Sequence, residues 1–297
     1  MLTTLRLTIL GALLIAASSC SKERLEKDDF SSMDDFYNEH RQEEQEYLID
    51  SGGTCPLVAR YQTKICLGKG AMSLPDGADF SYPWKLKVVE LYSIKDMMLW
   101  PMHGMSGDSL LKTTAMIRIR AFKDDTELKL KPGASYWIET DTLAPTLNTM
   151  KAHYGTSEPT MVNWLAGNPA NDTITETTVS PETYQMKLGS LGWSMAAANA
   201  GGSPLTQIQF AAIGNNTQNI EVFLVFKNFK GLMKVKNLKS QLLPVGEPVT
   251  LFAMAKKSTG EYVLHKEQFT VTAGMEKALS LEEVSEQALL DAMNDLQ

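Results

Sequence analysis

The sequence predicts an all-β protein of two β-sandwich-like domains with a short C-terminal helix. From residue 54 onward, apolar and polar residues alternate with a period of two, as in Trp84-Lys85-Leu86-Lys87-Val88 and in Ile117-Arg118-Ile119-Arg120. This alternation is the pattern of a strand with one buried face. Turn sequences such as Lys131-Pro132-Gly133 separate the alternating runs. Short strands spaced by such turns favour a sandwich over a βαβ fold.

The chain divides into six expected segments. They are a lipoprotein signal peptide (1–19), an acidic tether (20–50), a first β-sandwich domain (51–155), a Thr-, Ser-, Asn- and Pro-rich linker (156–181), a second β-sandwich domain (182–280) and a C-terminal helix (281–297). Strands of the second domain are expected at 207–213, 220–226, 232–238, 249–255, 262–265 and 269–272. Ser280 and Glu283 form a capping-box pattern, which predicts that the last helix begins there.

The N-terminus has the order of a bacterial secretory signal. Arg6 precedes an apolar run over residues 7–17, which is shorter than the roughly 20 residues needed to span a bilayer. The following Ala17-Ser18-Ser19-Cys20 resembles a lipoprotein processing box, and this resemblance implies a mature chain that begins at a lipidated Cys20. The alternative is a plain signal peptide with an incidental cysteine. Several acyl chains on one residue would anchor the protein stably to a membrane.

The net charge is concentrated in the expected tether. Residues 21–50 contain eleven acidic and four basic residues. The net charge of this segment, −7, equals the formal net charge of the whole chain. High charge with low hydrophobicity predicts a flexible segment. Lys22 and the acids that follow it resemble the surface-export signal of Bacteroidetes lipoproteins. The remaining chain is nearly neutral, so we expect no nucleic-acid partner.

Two further cysteines fit an exported protein. Cys55 and Cys66 are separated by ten residues and flanked by glycines. In an oxidising compartment this spacing predicts a disulfide across a hairpin. No Cys-x-x-Cys pattern is present in the sequence, so a redox or zinc role has little support.

Longer stretches resemble one family. Residues 110–122 (LLKTTAMIRIRAF) and 128–133 (LKLKPG) resemble a domain of uncharacterised Bacteroidetes surface lipoproteins. That domain is similar to the β-sandwich of zona occludens, netrin-receptor and ankyrin proteins. The Leu191-Gly192-Trp193 motif, with residues 222–227 and 243–250, resembles the second β domain of the same lipoproteins. The resemblance implies a location at the outer membrane and a fold, but no activity.

Surface roles are expected for a few side chains. Trp164 and Trp193 lie in loop-like sequence and are the candidate glycan platform, with core or linker packing as the alternative. Ser109, Thr142 and Thr173 lie within Asp-Ser/Thr-apolar triplets that resemble the Bacteroidetes O-glycosylation acceptor.

No set of residues predicts catalysis or a cofactor. Gly107-Asp108-Ser109-Leu110 matches the nucleophile block of one esterase superfamily. Such a site also requires a histidine with an aspartate three residues before it, and the sequence has no such pair. The Met-rich segment around His103 contains ligands that copper(I) prefers, although its methionines also suit irregular core packing. It contains Met97, Met98, Met102 and Met105. We expect no metal and no cofactor.

The expected function is a non-enzymatic role in binding or assembly at the cell envelope. The protein would be attached to the outer membrane by its lipid and exposed at the cell surface, with an extracellular glycan or a surface protein as partner. The first alternative is a glycan-binding accessory protein of polysaccharide capture. The second is a cryptic hydrolase that uses Ser109.

Overall fold

The computed structural model describes residues 29–50, 54–141, 149–157, 162–167, 176–212 and 217–296. These residues form an all-β protein with 26 strands in several sheets. In these ranges no helix is long and apolar enough to cross a membrane. The described helices are α1 (Asp34–His40), α2 (Ile94–Leu99) and α3 (Glu286–Asn294).

The strands are short, and most pair with antiparallel neighbours. The first thirteen are β1 (Phe30–Ser31), β2 (Gln45–Ile49), β3 (Thr54–Val58), β4 (Lys64–Leu67), β5 (Met72–Ser73), β6 (Trp84–Leu91), β7 (Met105–Ser106), β8 (Ser109–Thr113), β9 (Met116–Lys123), β10 (Thr126–Glu127), β11 (Lys129–Leu130), β12 (Tyr136–Asp141) and β13 (Lys151–Ser157). The others are β14 (Val162–Ala166), β15 (Glu176–Val179), β16 (Thr183–Leu188), β17 (Gly192–Asn199), β18 (Leu205–Thr206), β19 (Gln209–Ala212), β20 (Glu221–Phe226), β21 (Gly231–Lys234), β22 (Leu243–Pro244), β23 (Pro248–Lys257), β24 (Tyr262–Thr270), β25 (Glu276–Leu279) and β26 (Glu282–Val284).

Three sheets contain most of these strands. The central sheet has the order β14-β13-β17-β9-β6-β2, with β7, β8 and β10 attached beside it. The outer sheet has the order β15-β16-β12-β4-β3. The C-terminal sheet has the order β21-β20-β23-β24-β26, and β1 also pairs with β23. The pairing places Val88 opposite Ile119 in the central sheet and Phe223 opposite Phe252 in the C-terminal sheet.

The central sheet is covered by another sheet on each face. On β6, Leu86 and Val88 belong to a cluster shared with the outer sheet, whereas Val89 and Leu91 belong to a cluster shared with the C-terminal sheet. Successive side chains of a strand point to opposite faces, so one strand contributes to both cores. The sheets therefore stack as outer, central and C-terminal layers. A third core covers the far face of the C-terminal sheet, where Val222 is buried.

The locally patterned strands and the disulfide are confirmed. The alternation around Trp84 becomes β6, and the alternation around Ile117 becomes β9. Cys55 in β3 is bonded to Cys66 in β4, and these two strands are antiparallel neighbours in the outer sheet.

Strand pairing crosses the expected domain boundary after residue 181. β16 pairs with β12, and β17 pairs with β9 and β13, so both strands join sheets built from the first series. The linker expected over 156–181 is wrong for its described residues, which include all of β14 and β15. These two are the terminal strands of their sheets. The polar composition of a linker is equally compatible with a strand that has one edge open to solvent.

The tether expected over residues 20–50 is wrong for residues 29–50, which are folded. Phe36 and Tyr37 of α1 are buried in the core between the central and C-terminal sheets. The rest of the expected tether, the signal peptide and Cys20 lie outside the described residues.

Charge pairing neutralises part of this acidic segment in the fold. Glu44 lies 2.7 Å from Arg118 of β9, and Glu46 of β2 lies 2.6 Å from Lys85 of β6. The partners are distant in sequence, so the composition of the segment does not reveal them. β2 then completes the edge of the central sheet by pairing with β6.

The C-terminal helix begins later than expected. α3 starts after Ser285, whose side chain accepts a hydrogen bond from the Ala288 N–H. Residues 282–284 instead form β26, which pairs with β24. The capping-box pattern at Ser280 therefore does not mark the start of the helix, because the residues after it complete a sheet edge. Leu289 and Met293 of α3 are buried.

Candidate functional site

Trp164 does not form a surface platform. Its side chain is fully buried, and its Nε1 donates a hydrogen bond to the backbone oxygen of His103 at 2.6 Å. The residue lies in β14, within the segment 156–181 that was expected to be a linker. The expectation of a sugar-binding surface at Trp164 is therefore wrong, because the strand turns this ring into the core.

Trp193 is also buried, with 8 % of its surface exposed. It lies in β17 in the interior of the central sheet and meets the Trp100 ring edge-on at 5.8 Å. The Arg118 guanidinium covers it at 5.2 Å. Trp193 by itself is therefore no platform, but it forms the support of an arginine–tryptophan arrangement that reaches the surface.

A cavity of about 360 Å³ lies above this arrangement. The lining residues come from α1, the α1–β2 connection, the end of α2 and β9, and are Asn38, Arg41, Gln42, Glu43, Glu44, Trp100 and Arg118. We call it the arginine–tryptophan cavity. Its size is at the lower end of the range for small-molecule sites. Five of its seven lining residues come from the segment expected to be a flexible tether.

The end of α2 positions Trp100. Ser93 and Asp96 form a capping box at the start of this helix, and the Trp100 N–H donates to the Asp96 oxygen at its end. Residues 97–99 are buried. Anchored in this way, α2 holds the half-buried Trp100 ring at the cavity.

Arg118 forms the floor of the cavity. The alternation of β9 directs Ile117 and Ile119 into the outer core, which leaves Arg118 on the opposite face. Its guanidinium lies 4.7 Å from the centre of the Trp100 ring, and its Nη2 donates to Glu44 Oε1 at 2.7 Å. Burial lowers the pKa of Arg118 below its usual value, and Glu44 opposes that shift.

A second arginine reaches the same indole. The guanidinium of Arg41 lies 4.8 Å from the centre of the Trp100 ring. Contacts between a guanidinium and a tryptophan face are attractive because the ring quadrupole is negative there. Because both arginines contact the Trp100 ring, a ligand would meet the hydrogen-bonding groups at the edge of the cluster.

Three of the lining residues have a buried polar atom without a partner in the described structure. They are the acceptor Gln42 Oε1 and the donors Trp100 Nε1 and Arg118 Nε. A buried polar group without a hydrogen bond costs about 1–3 kcal/mol. Two unpaired donors and one unpaired acceptor of the described structure therefore belong to residues that line this cavity.

A larger cleft of about 1000 Å³ lies between α2, β20 and β24. Its charged groups are occupied by the protein itself: Lys230 Nζ donates to the Tyr92 backbone oxygen, and Lys266 Nζ donates to the Ala292 backbone oxygen. Burial lowers the pKa of Lys230 to about 8. With its cations already bonded, the cleft is a weaker candidate than the smaller cavity.

The Met-rich segment packs in the core, as expected. Met97, Met98 and Met102 belong to the cluster between the central and C-terminal sheets, and Met105 belongs to the third core. His103 is buried, and burial with the nearby Lys236 lowers its pKa to about 4. The segment therefore contributes side-chain volume to two cores.

The other sequence candidates are separate from the cavity. Ser109 is exposed at the start of β8, after the turn at Gly107. In the described residues no hydrogen bond joins its side chain to a histidine. Thr142 and Thr173 lie outside the described ranges. Comparison with models of known families finds no match to this chain, and a search of curated proteins finds none either.

Proposed function

We propose that this chain is a non-enzymatic binding protein of the bacterial cell envelope, held at the outer membrane by lipid on Cys20 and exposed at the cell surface. The support for the anchor is the sequence Ala17-Ser18-Ser19-Cys20 after an apolar run. The likeness of the chain to Bacteroidetes surface lipoproteins, stated above from its motifs, supports the same location.

The arginine–tryptophan cavity is the proposed binding site. The observation that carries this proposal is that three residues lining one cavity, Gln42, Trp100 and Arg118, each have a buried polar atom with no hydrogen-bond partner within the described ranges. Buried polar groups are nearly always hydrogen-bonded. A ligand that pairs with all of them would gain specificity as well as affinity.

A glycan is the proposed ligand class. A sugar hydroxyl both donates and accepts, so adjacent hydroxyls match a carbonyl oxygen beside two N–H donors. Ionised Arg41 and Arg118 would strengthen the bonds that they donate. The protein would then serve as a glycan-binding accessory of polysaccharide capture, through Trp100 rather than through an exposed Trp164 or Trp193.

A glycan panel with matched tryptophan variants tests this proposal. Trp100→Phe removes the Nε1 donor and keeps an aromatic ring between the arginines. Trp137→Phe is the control, because Trp137 lies half-buried on β12, in the outer sheet, away from the cavity. We expect calorimetry to show saturable binding of at least one glycan, weakened by Trp100→Phe and unchanged by Trp137→Phe.

Two results would overturn the assignment. Binding that is equal in the Trp100→Phe variant and the wild type would place the ligand elsewhere. Failure of the whole panel, together with capture of a purified surface protein, would replace the glycan with a protein partner.

The location has its own experiment, which is proteinase K digestion of intact cells. We expect the wild-type chain to be digested and a Cys20→Ala variant to be protected, since lipidation is required for display at the surface. Protection of the membrane-associated wild-type chain would instead indicate a periplasmic orientation and an envelope-assembly role.

A further inference from the structure

One side-chain cluster outside the cavity has the composition of a metal site. Glu39 and His40 end helix α1, and Glu286 begins helix α3. One potential ligand atom from each residue lies within 4.8 Å of the other two. His40 Nε2 and Glu286 Oε1 are in direct contact at 2.6 Å. The cluster therefore joins residues from the two ends of the described chain.

The two carboxylates of the cluster lack a lysine or arginine partner. Across the described ranges, neither Glu39 nor Glu286 has such a cation within 4.0 Å, and Glu286 forms an ion pair with His40. Burial raises the pKa of Tyr262, and the negative charges of Glu286 and Glu39 raise it further, against the opposing effect of Lys256. Lys256 Nζ lies over the Tyr262 ring, 5.4 Å from its centre. Glu286 and Glu39 therefore both add negative charge near Tyr262.

Packing holds the imidazole in place. The ring of His40 lies 4.7 Å from that of Phe36, which lies 5.3 Å from that of Tyr262. Phe36 is almost completely buried. Glu286 directly follows the Ser285 cap of α3. Both ligand-bearing helix ends are thus fixed by the fold, and the Glu39 side chain is exposed.

We propose that Glu39, His40 and Glu286 bind a zinc ion. An imidazole nitrogen and carboxylate oxygens are zinc ligands, and three protein ligands with a water complete a tetrahedral site. Bond lengths of about 2.0–2.1 Å place tetrahedral ligand atoms about 3.4 Å apart. The His40–Glu286 contact would open by about 1 Å to admit the ion, which is within reach of a side-chain rotation. The ion would fasten α1 to α3.

Zinc titration of the full chain tests the proposal. The protein would be free of affinity tags and stripped with a chelator before calorimetry with zinc chloride. We expect saturable binding of one ion per chain and a rise in the melting temperature when zinc is present. The glycan is proposed to bind at the arginine–tryptophan cavity and zinc at the Glu39–His40–Glu286 cluster. A failure of zinc binding therefore leaves the glycan proposal standing, and the reverse also holds.

Matched variants assign the ligands. His40→Gln keeps a hydrogen-bond donor beside Glu286 and removes the imidazole, and His265→Gln is its control on β24. Glu39→Gln is paired with Asp35→Asn, which makes the same charge change on an exposed residue of α1. Loss of even an outer-shell partner weakens metal binding about 10- to 100-fold, so loss of a direct ligand should weaken zinc binding at least as much. The control variants should bind as the wild type does.

Two outcomes would overturn the site. One is no saturable zinc binding to the stripped wild-type chain. The other is wild-type zinc affinity in Glu39→Gln or in a folded His40→Gln variant. Since Glu39 is exposed, its substitution leaves the core intact, and the test remains decisive if the His40 variant does not fold.

Discussion

The Glu90 side chain is completely buried and accepts a hydrogen bond from the Gln45 amide at 2.7 Å. The same carboxylate accepts the backbone N–H groups of Tyr61 and Thr63 at 2.9 Å and 3.1 Å. It therefore joins β6 to β2 and to the β3–β4 connection. A buried carboxylate is tolerated when donors of this kind surround it. Through Gln45, it also fixes the start of β2, which directly follows the cavity-lining residues 41–44.

Glu90→Ala should be strongly destabilising. The change removes the acceptor of three donors, two of them in buried hydrogen bonds, and each buried group left unpaired costs about 1–3 kcal/mol. We expect the free energy of unfolding in urea to fall by about 3 kcal/mol or more. The control is Glu127→Ala, which removes the exposed pair with Arg120 and should cost less than about 1 kcal/mol. Equal stability of the two variants would contradict the role of Glu90.

Gly155→Ala should disturb the support of the cavity. A Cβ at this position of β13 would lie 2.6 Å from Val162 Cγ1 and 2.7 Å from Trp193 Cβ. Overpacking of a core typically costs about 1–3 kcal/mol. Thermal unfolding should show a lower melting temperature for this variant. The control Gly68→Ala meets nothing within 4 Å, and a similar loss in both variants would argue against close packing at Gly155.

His103 should make the protein less stable in mild acid. Its folded-state pKa is lowered from 6.5 to about 4, so between these values the unfolded chain binds a proton that the folded chain does not. Stability present above pH 6.5 is therefore lost as the pH falls toward 4, by about 3 kcal/mol in total. Urea unfolding at pH 7 and pH 4.5 should differ less in His103→Gln than in the wild type.

An equal loss of unfolding free energy between pH 7 and pH 4.5 in the wild type and in His103→Gln would contradict the role of His103. Burial also lowers the pKa of His153. Part of the wild-type pH dependence should therefore remain in the His103 variant.

Reduction of the Cys55–Cys66 disulfide should weaken the outer sheet. The bond spans a sequence separation of 11, and closing a loop of this size stabilises a protein by about 2–3 kcal/mol. Melting curves recorded with and without dithiothreitol should show this loss. A Cys55→Ser, Cys66→Ser double variant should be insensitive to the reductant. Identical melting curves for the oxidised and reduced wild type would show that the disulfide does not stabilise the fold.

The arginine–tryptophan cavity could be predicted only in part. The expected glycan platform was assigned to Trp164 and Trp193, both of which are buried. The residue at the cavity is Trp100, and its signal was the Ser93–Asp96 capping pattern that ends a short helix at this position. No local pattern in the sequence brings Arg41 and Arg118 to the same indole, because β9 and the α1–β2 connection are far apart in the chain.

The sequence by itself determined strands β6 and β9 and the disulfide, because a period of two and a short cysteine spacing are local properties. The alternation at Trp84 and at Ile117 predicts β6 and β9 whatever surrounds them. Only the tertiary structure decided that residues 29–50 fold, that β14 and β15 close two sheets, and that Glu39 and His40 meet Glu286. Each of these depends on a partner elsewhere in the chain, and burial against that partner outweighs the local preference for a polar loop or tether.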